Sequence, residues 1–294
     1  MRAFYFADYR MLADDAISEN EHMQYLDEFQ NPMPFTHTFT IHLGNPEHLN
    51  AEYEKAMNCP EVCKAGNLSL HDGTDSWSIT SKNEECDWKY VVCCSRDYSE
   101  LTVYMPVNRV YLEEINTWAE PYFPFSLVRA ACEAGMVMRD GVPLHASLIE
   151  KDGNGIIFLG PSGMGKSTQA KLWMEYQNAD FVIGDRPVLR CIDGAWHGFG
   201  MPWDGKDNIR RQKSVPIKAC ISLEQAGMNH IRRLDPKEAM QVLLRQAMMP
   251  MWDEAAMDDL LRLISLLPQE VPFYHLQNLA DEECVRMTCN TVFR

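Results

Sequence analysis

Gly160, Pro161, Ser162, Gly163, Met164, Gly165, Lys166, Ser167 and Thr168 form a run that matches G-x-x-x-x-G-K-[ST], with Gly165, Lys166 and Ser167 in its fixed positions. In such a run the glycines let successive backbone N–H groups turn inward on phosphate oxygens, in conformations that a side chain would block. The lysine brings a point charge to the β- and γ-phosphates, and the serine hydroxyl is placed to sit on magnesium. A helix opening near Ser167 adds its positive end. The run therefore predicts a P-loop that binds a nucleoside triphosphate with Mg²⁺ through these nine residues; ATP is the expected nucleotide, while the motif itself does not choose among ATP, GTP and pyrophosphate.

Asp185 follows Ser167 by 18 residues and closes the apolar segment FVIG. A carboxylate there can reach the same magnesium or a substrate hydroxyl. As a metal ligand beside Ser167 it leaves the acceptor's proton to another base; as the base it leaves the metal to Ser167, phosphates and water. His145 lies just upstream of the loop, in LHAS, as a phosphate or substrate contact or a histidine at a strand end. Lys206, Arg210, Arg211 and Lys213 make a positive cluster in an acidic chain, either a solvated loop or a clamp on the transferring phosphoryl group or on an acidic substrate. Trp203 beside them is a packing residue or a substrate contact. The expected catalytic set is Asp185, Lys166 and His145; the expected substrate set is Trp203, Lys206 and Arg210. Cys59, Cys63, Cys86, Cys93 and Cys94 contain no two-residue C-x-x-C spacing, which favours free thiols over zinc.

The early acidic strand end resembles the HPr kinase and phosphoenolpyruvate carboxykinase superfamily. His145 is similar to the histidine of HPr kinases that approaches the phosphates. DRPVLR at 185–190 and GMPWDGK at 200–206 resemble elements of HPr-kinase-like proteins from gene clusters for modified peptides. The likeness covers about residues 140–278, and it departs where the family has two adjacent aspartates, since this chain reads Gly184-Asp185-Arg186. It implies an α/β (α+β) fold: a P-loop kinase domain of the HPr kinase/phosphoenolpyruvate carboxykinase type behind a β-rich N-terminal domain. It also implies transfer of the γ-phosphate to a hydroxyl, a serine of a peptide or protein. A small-metabolite kinase and a non-catalytic nucleotide sensor or scaffold are the alternatives.

The elements that must position these residues follow from periodicity. Strands are expected at 35–43, 76–81, 88–95 and 101–107 and a helix at 51–58, giving a mostly antiparallel first half over 1–125. A helix over 125–139 leads into the second half, 126–294. There LHASLIEK, the turn DGNG and IIFLG read as a hairpin ending at the loop, followed by a helix at 167–177 and a strand at 180–185. A hairpin at 188–200, a strand at 219–225, helices at 235–249 and 254–267 bounded by Pro236 and Pro268, a strand at 271–278 and a final helix complete the order.

Composition narrows the partners. A formal charge of −15 opposes non-specific binding to nucleic acid or an anionic membrane. The first fifteen residues hold Arg2, Asp8, Arg10, Asp14 and Asp15, which leaves no room for a signal-peptide apolar core of about 7–15 residues. No run approaches the roughly 20 apolar residues of a membrane span. Ten cysteines scattered over 294 residues do not form a disulfide framework. The expectation is a cytoplasmic protein acting on a peptide, protein or small-molecule hydroxyl acceptor, with no nucleic acid and no membrane partner; a homo-oligomer stays open.

Overall fold

Short segments that alternate in burial build the first part of the chain into sheet. The computed structural model describes residues 1–18, 26–112, 117–203 and 208–294, so the expected contact Lys206 lies outside the described residues. The chain divides into two compact units, Met1–Gly135 with Pro250–Glu254, and Met136–Met249 with Ala255–Arg294. The division falls ten residues past the expected 125/126 boundary, inside a helix, and a short later segment joins the first unit.

In the first unit β1 (Arg2–Phe6) and β2 (Tyr9–Ala13) form a hairpin, followed by α1 (Asp15–Ser18), β3 (His37–Leu43) and α2 (Leu49–Met57). Then come β4 (Glu61–Ala65), β5 (Leu68–Asp72), β6 (Ser76–Asn83), β7 (Trp88–Ser95) and β8 (Glu100–Tyr104). These eight strands form one sheet in the order β1-β2-β3-β8-β7-β6-β5-β4. It is antiparallel except at β2/β3 and β3/β8, and so mostly antiparallel, as expected. Phe4, Phe39, Ile41, Ile79, Val92 and Leu101 supply its buried residues. A two-stranded pair, β9 (Val110–Leu112) and β10 (Thr117–Ala119), precedes α3 (Phe125–Val137). Within this unit the buried Tyr98 hydroxyl donates to Asp253 at 2.9 Å and accepts from Trp252 Nε1 at 2.9 Å, which ties the 250–254 segment to it.

The second unit is a nine-stranded sheet. Its strands are β11 (Gly141–Pro143), β12 (Ala146–Lys151), β13 (Asn154–Leu159), β14 (Asp180–Ile183), β15 (Val188–Ile192), β16 (Ala195–Phe199), β17 (Ser214–Gln225), β18 (His230–Arg233) and β19 (Phe273–Asn278). The order runs β11-β15-β16-β17-β13-β12-β14, with β19 also on β17 and β18 on β19. β13, β17 and β19 are parallel, while β12 is antiparallel to both β13 and β14. Helix α4 (Lys166–Gln177) and the last helix, α7 (Glu282–Val292), cover one face. There Phe158, Trp173, Phe181, Ile221, Leu223 and Val285 share one apolar core. Between β18 and β19 lie α5 (Pro236–Gln246) and α6 (Glu254–Glu270).

A capping box opens α5: Glu238 N donates to Asp235 Oδ1 at 2.8 Å, and Asp235 N donates to Glu238 Oε2 at 3.1 Å. Pro268, expected to end α6, lies inside it. Its missing N–H falls in the last turn, Val271 N still donates to Leu267 O at 2.9 Å, and the buried Leu263, Ile264 and Leu267 hold the turn by packing. The fold is thus mixed α and β, with a strand-rich first unit. Among the described residues no helix is long and apolar enough to cross a membrane, and all ten cysteines are free thiols.

Candidate active site

Strand directions decide which side chains meet. β12 runs antiparallel to β13 on one side and to β14 on the other, so its beginning lies beside the ends of both. His145 immediately precedes β12, the glycine-rich loop follows β13, and Asp185 follows β14. Three groups from separate segments therefore arrive at one end of the sheet.

Residues 160–165 connect β13 to α4, with Gly163 and Gly165 at φ 81° and 97°, conformations that exclude most side chains. Gly165 is also the N-cap of α4, and having no side chain it makes no side-chain cap bond to the first turn, the end of a helix that favours an anion. Lys166, only 8% exposed, donates from Nζ to Gly160 O at 2.8 Å and Pro161 O at 3.2 Å. The same ammonium is 3.3 Å from His145 Nε2. An ammonium only donates, so this contact requires Nε2 to be the bare ring nitrogen.

His145 is fixed by its backbone, whose N–H donates to Gln246 O at 2.7 Å. Its Nε2 stands 3.8 Å from Asp185 Oδ1. Burial, and then the Lys166 charge, push the imidazole below its ordinary pKa against the opposing pull of Asp185. Burial also lowers the Lys166 pKa, again with Asp185 opposing.

Around Asp185 the backbone is pinned on both sides. Ser147 Oγ donates to Gly184 O at 2.8 Å, and Gly184 N donates to Ile209 O at 3.1 Å. Asp185 Oδ1 is buried and has no hydrogen-bond partner among the described residues. Arg186 Nε is 3.8 Å from the other carboxylate oxygen. Arg186 sits at φ 60°, left-handed and directly before Pro187, where extended backbone is the norm. Strain of that kind costs about 1–3 kcal/mol and concentrates at functional sites.

Among the described residues no group of three or more His, Cys, Asp or Glu side chains could hold a metal ion. Magnesium needs no such cage, since it keeps water and phosphate oxygens and takes one or two protein ligands. A hydroxyl at Ser167 and the orphaned Asp185 oxygen fit that demand.

The basic cluster splits. Arg210 forms a backbone bridge with Ile183, two residues before Asp185, and so lies beside the site. Gly200 secures this neighbourhood, because a Cβ there would stand 1.9 Å from Arg211 O. Lys213 is instead engaged by Glu150 and, at 3.2 Å, by Asp180, at the opposite end of β12 and β14 from the loop. Trp203 is 2% exposed, buried as a packing residue would be. No sequence motif points to Arg186, Glu224, Arg245, Gln246 or His275 as members of this neighbourhood. Arg186 was signalled only by adjacency to Asp185; the other four line a groove beside His145 and Gly160 that pairing and helix packing create. No protein-family description and no curated protein matches this chain.

Proposed function

We propose that the chain is an ATP- and Mg²⁺-dependent phosphotransferase of the HPr kinase/phosphoenolpyruvate carboxykinase type, working in the cytoplasm, that moves the γ-phosphate to a hydroxyl, that of a serine in a peptide or protein. The observation that carries the reading is the convergence of Lys166, His145 and Asp185, at 3.3 and 3.8 Å, on a glycine-rich loop between a strand and a helix. Lys166, seated on the first carbonyls of the loop, serves the terminal phosphates. Ser167 and Asp185 are the residues that would hold magnesium, which when bound would neutralise phosphate charge. In the transfer the acceptor oxygen bonds to the γ-phosphorus, the bond from phosphorus to the bridging oxygen breaks, and its electrons stay on ADP. Two groups at this end can take the hydroxyl proton, the Asp185 carboxylate and the bare His145 Nε2. Arg210, beside β14, adds positive charge near the transferring group.

The test is label transfer from γ-labelled ATP with Mg²⁺ to peptides and alcohols, and phosphate release without them. Wild type should transfer or slowly hydrolyse, and Lys166→Ala and Asp185→Asn should each lose about 10²–10³-fold, the usual cost of removing one transition-state contact. His145→Gln and Asp185→Asn separate the two proton acceptors, because only loss of the true base removes the acid limb of the pH–rate profile. ATP binding without either reaction, unaffected by Asp185→Asn, would overturn the reading in favour of a nucleotide sensor.

A further inference from the structure

A groove of about 390 Å³ opens beside the loop, at His145, Gly160 and Pro161, and is walled by Glu224, Arg245 and Gln246. Leu223 packs with Trp173 in the core under α4, so strand alternation turns its neighbour Glu224 to the other face of the sheet. The groove is thus at the transferable end of the nucleotide: Lys166, which serves the β- and γ-phosphates, rests on the carbonyls of Gly160 and Pro161. His145 is common to both places, and its N–H bond to Gln246 O joins them.

The charged groups of the wall are unequally committed. Glu224 accepts from His275 Nε2 at 2.7 Å and from Gln277 Nε2 at 3.2 Å. Arg245 has no hydrogen bond or ion pair among the described residues. Gln246 beside it is only 5% exposed, and its Oε1 is buried with no hydrogen-bond partner among the described residues. An unpaired guanidinium fork at the groove calls for an anionic ligand.

We propose that this groove receives the phosphoryl acceptor, and that the acceptor is a hydroxyl compound carrying a carboxylate that Arg245 binds. The inference rests on the phosphotransferase reading above. Arginine matches a carboxylate with two parallel N–H bonds, which sets orientation as well as affinity. The hydroxyl then lies toward His145 and Asp185, its oxygen bonding to the γ-phosphorus as ADP leaves and its proton passing to one of those two groups. Two sources share the chemistry: an acidic residue close to a serine in a peptide, and a free hydroxy acid.

The experiment pairs each acid with its neutral twin, using the full chain, γ-labelled ATP and Mg²⁺. The probes are a serine peptide with a neighbouring aspartate, the same peptide with asparagine, glycerate, and glyceramide. The acid member of a pair should be used about tenfold better, the low end for a charge-assisted pair on an exposed arginine. Arg245→Ala should erase that preference by raising the acceptor KM, with the KM for ATP moving less than about twofold, and Arg245→Lys should restore part of it. Preference within the peptide pair alone identifies the peptide source; preference within the glycerate pair alone identifies the free acid. Equal use of acid and amide, a preference that survives Arg245→Ala, or neither transfer to nor competition by any probe in a protein with Lys166-dependent ATP binding would overturn the proposal. Loss of the underlying reading looks different, as ATP binding independent of Lys166, and would remove the inference with it.

Discussion

Replacing Gly200 with alanine tests how the segment beside the site is held. The added Cβ would stand 1.9 Å from Arg211 O, 3.1 Å from Arg211 C and 3.3 Å from Val182 Cγ1. The first two are backbone atoms, so no side-chain rotation relieves the clash, and one strand of the crossing must shift by more than an ångström. Overpacking of this kind costs about 1–3 kcal/mol. The same movement strains the bond from Gly200 N to Lys213 O, 3.0 Å long, which adds about 1 kcal/mol. For a folded unit of roughly 150 residues each kcal/mol moves Tm by about 2–4 °C, so a cost of about 2–4 kcal/mol should make Gly200→Ala melt about 4–16 °C lower. Circular dichroism against temperature and urea reads this directly. Gly227→Ala is the control, with open space around the added Cβ, and should change Tm by no more than about 2 °C. A Gly200→Ala protein that melts within about 2 °C of wild type would show that Arg211 does not cross Gly200, and would remove the account of how Arg210 is kept beside Asp185.

Two further outcomes can be measured without knowing the acceptor. Tyr98→Phe deletes the hydroxyl that donates to Asp253 and accepts from Trp252 Nε1, leaving a carboxylate of 7% exposure without that donor. It should cost about 1–3 kcal/mol by urea titration, and its refutation is an unchanged midpoint. Glu224 is held below its ordinary carboxylate pKa first by the hydrogen bond from His275 and then by that from Gln277. A carboxylate depressed on folding stabilises above its unfolded pKa, and the gain is lost as pH falls through the lower folded value. Its carboxyl resonance should therefore titrate below the ordinary 4.5, and His275→Ala should move it upward; a midpoint indifferent to that substitution removes the pair.

What the sequence discloses is what is decided locally. The loop from Gly160 to Lys166 carries its conformation in its glycines, and Asp235 with Pro236 and Glu238 spells out a helix start. The hairpin of β1 and β2 was not legible for an equally local reason. Its turn places Ala7 and Asp8 at φ 49° and 65°, a geometry that sequence normally announces with Asn-Gly or Asp-Gly. Pro268 misled in the other direction, because packing of Leu263, Ile264 and Leu267 outweighs a breaker placed in a final turn. Lys213 shows the limit of reading charge by proximity along the chain: it is three residues from Arg210, yet its partners Glu150 and Asp180 hold it at the far end of the sheet.

The meeting of His145 with both Lys166 and Asp185 turns on the placement of one strand. A strand, a glycine-rich loop, a helix and a second strand suggest that β14 should lie directly beside β13 as its parallel neighbour. In this sheet β14 runs in the same direction as β13 but with β12 between them, reached through a register shift at Leu148 and Ile149. The residue before β12 is therefore interposed between the residues that follow its two neighbours. That is why His145 Nε2 stands 3.3 Å from Lys166 Nζ and 3.8 Å from Asp185 Oδ1, while the loop and the carboxylate come from strands that never touch. Were β14 paired to β13, Asp185 would approach the loop directly and His145 would lie outside both. The site thus owes its third member to a pairing choice that leaves no mark in the motif, and only the order of the strands gives His145 its place.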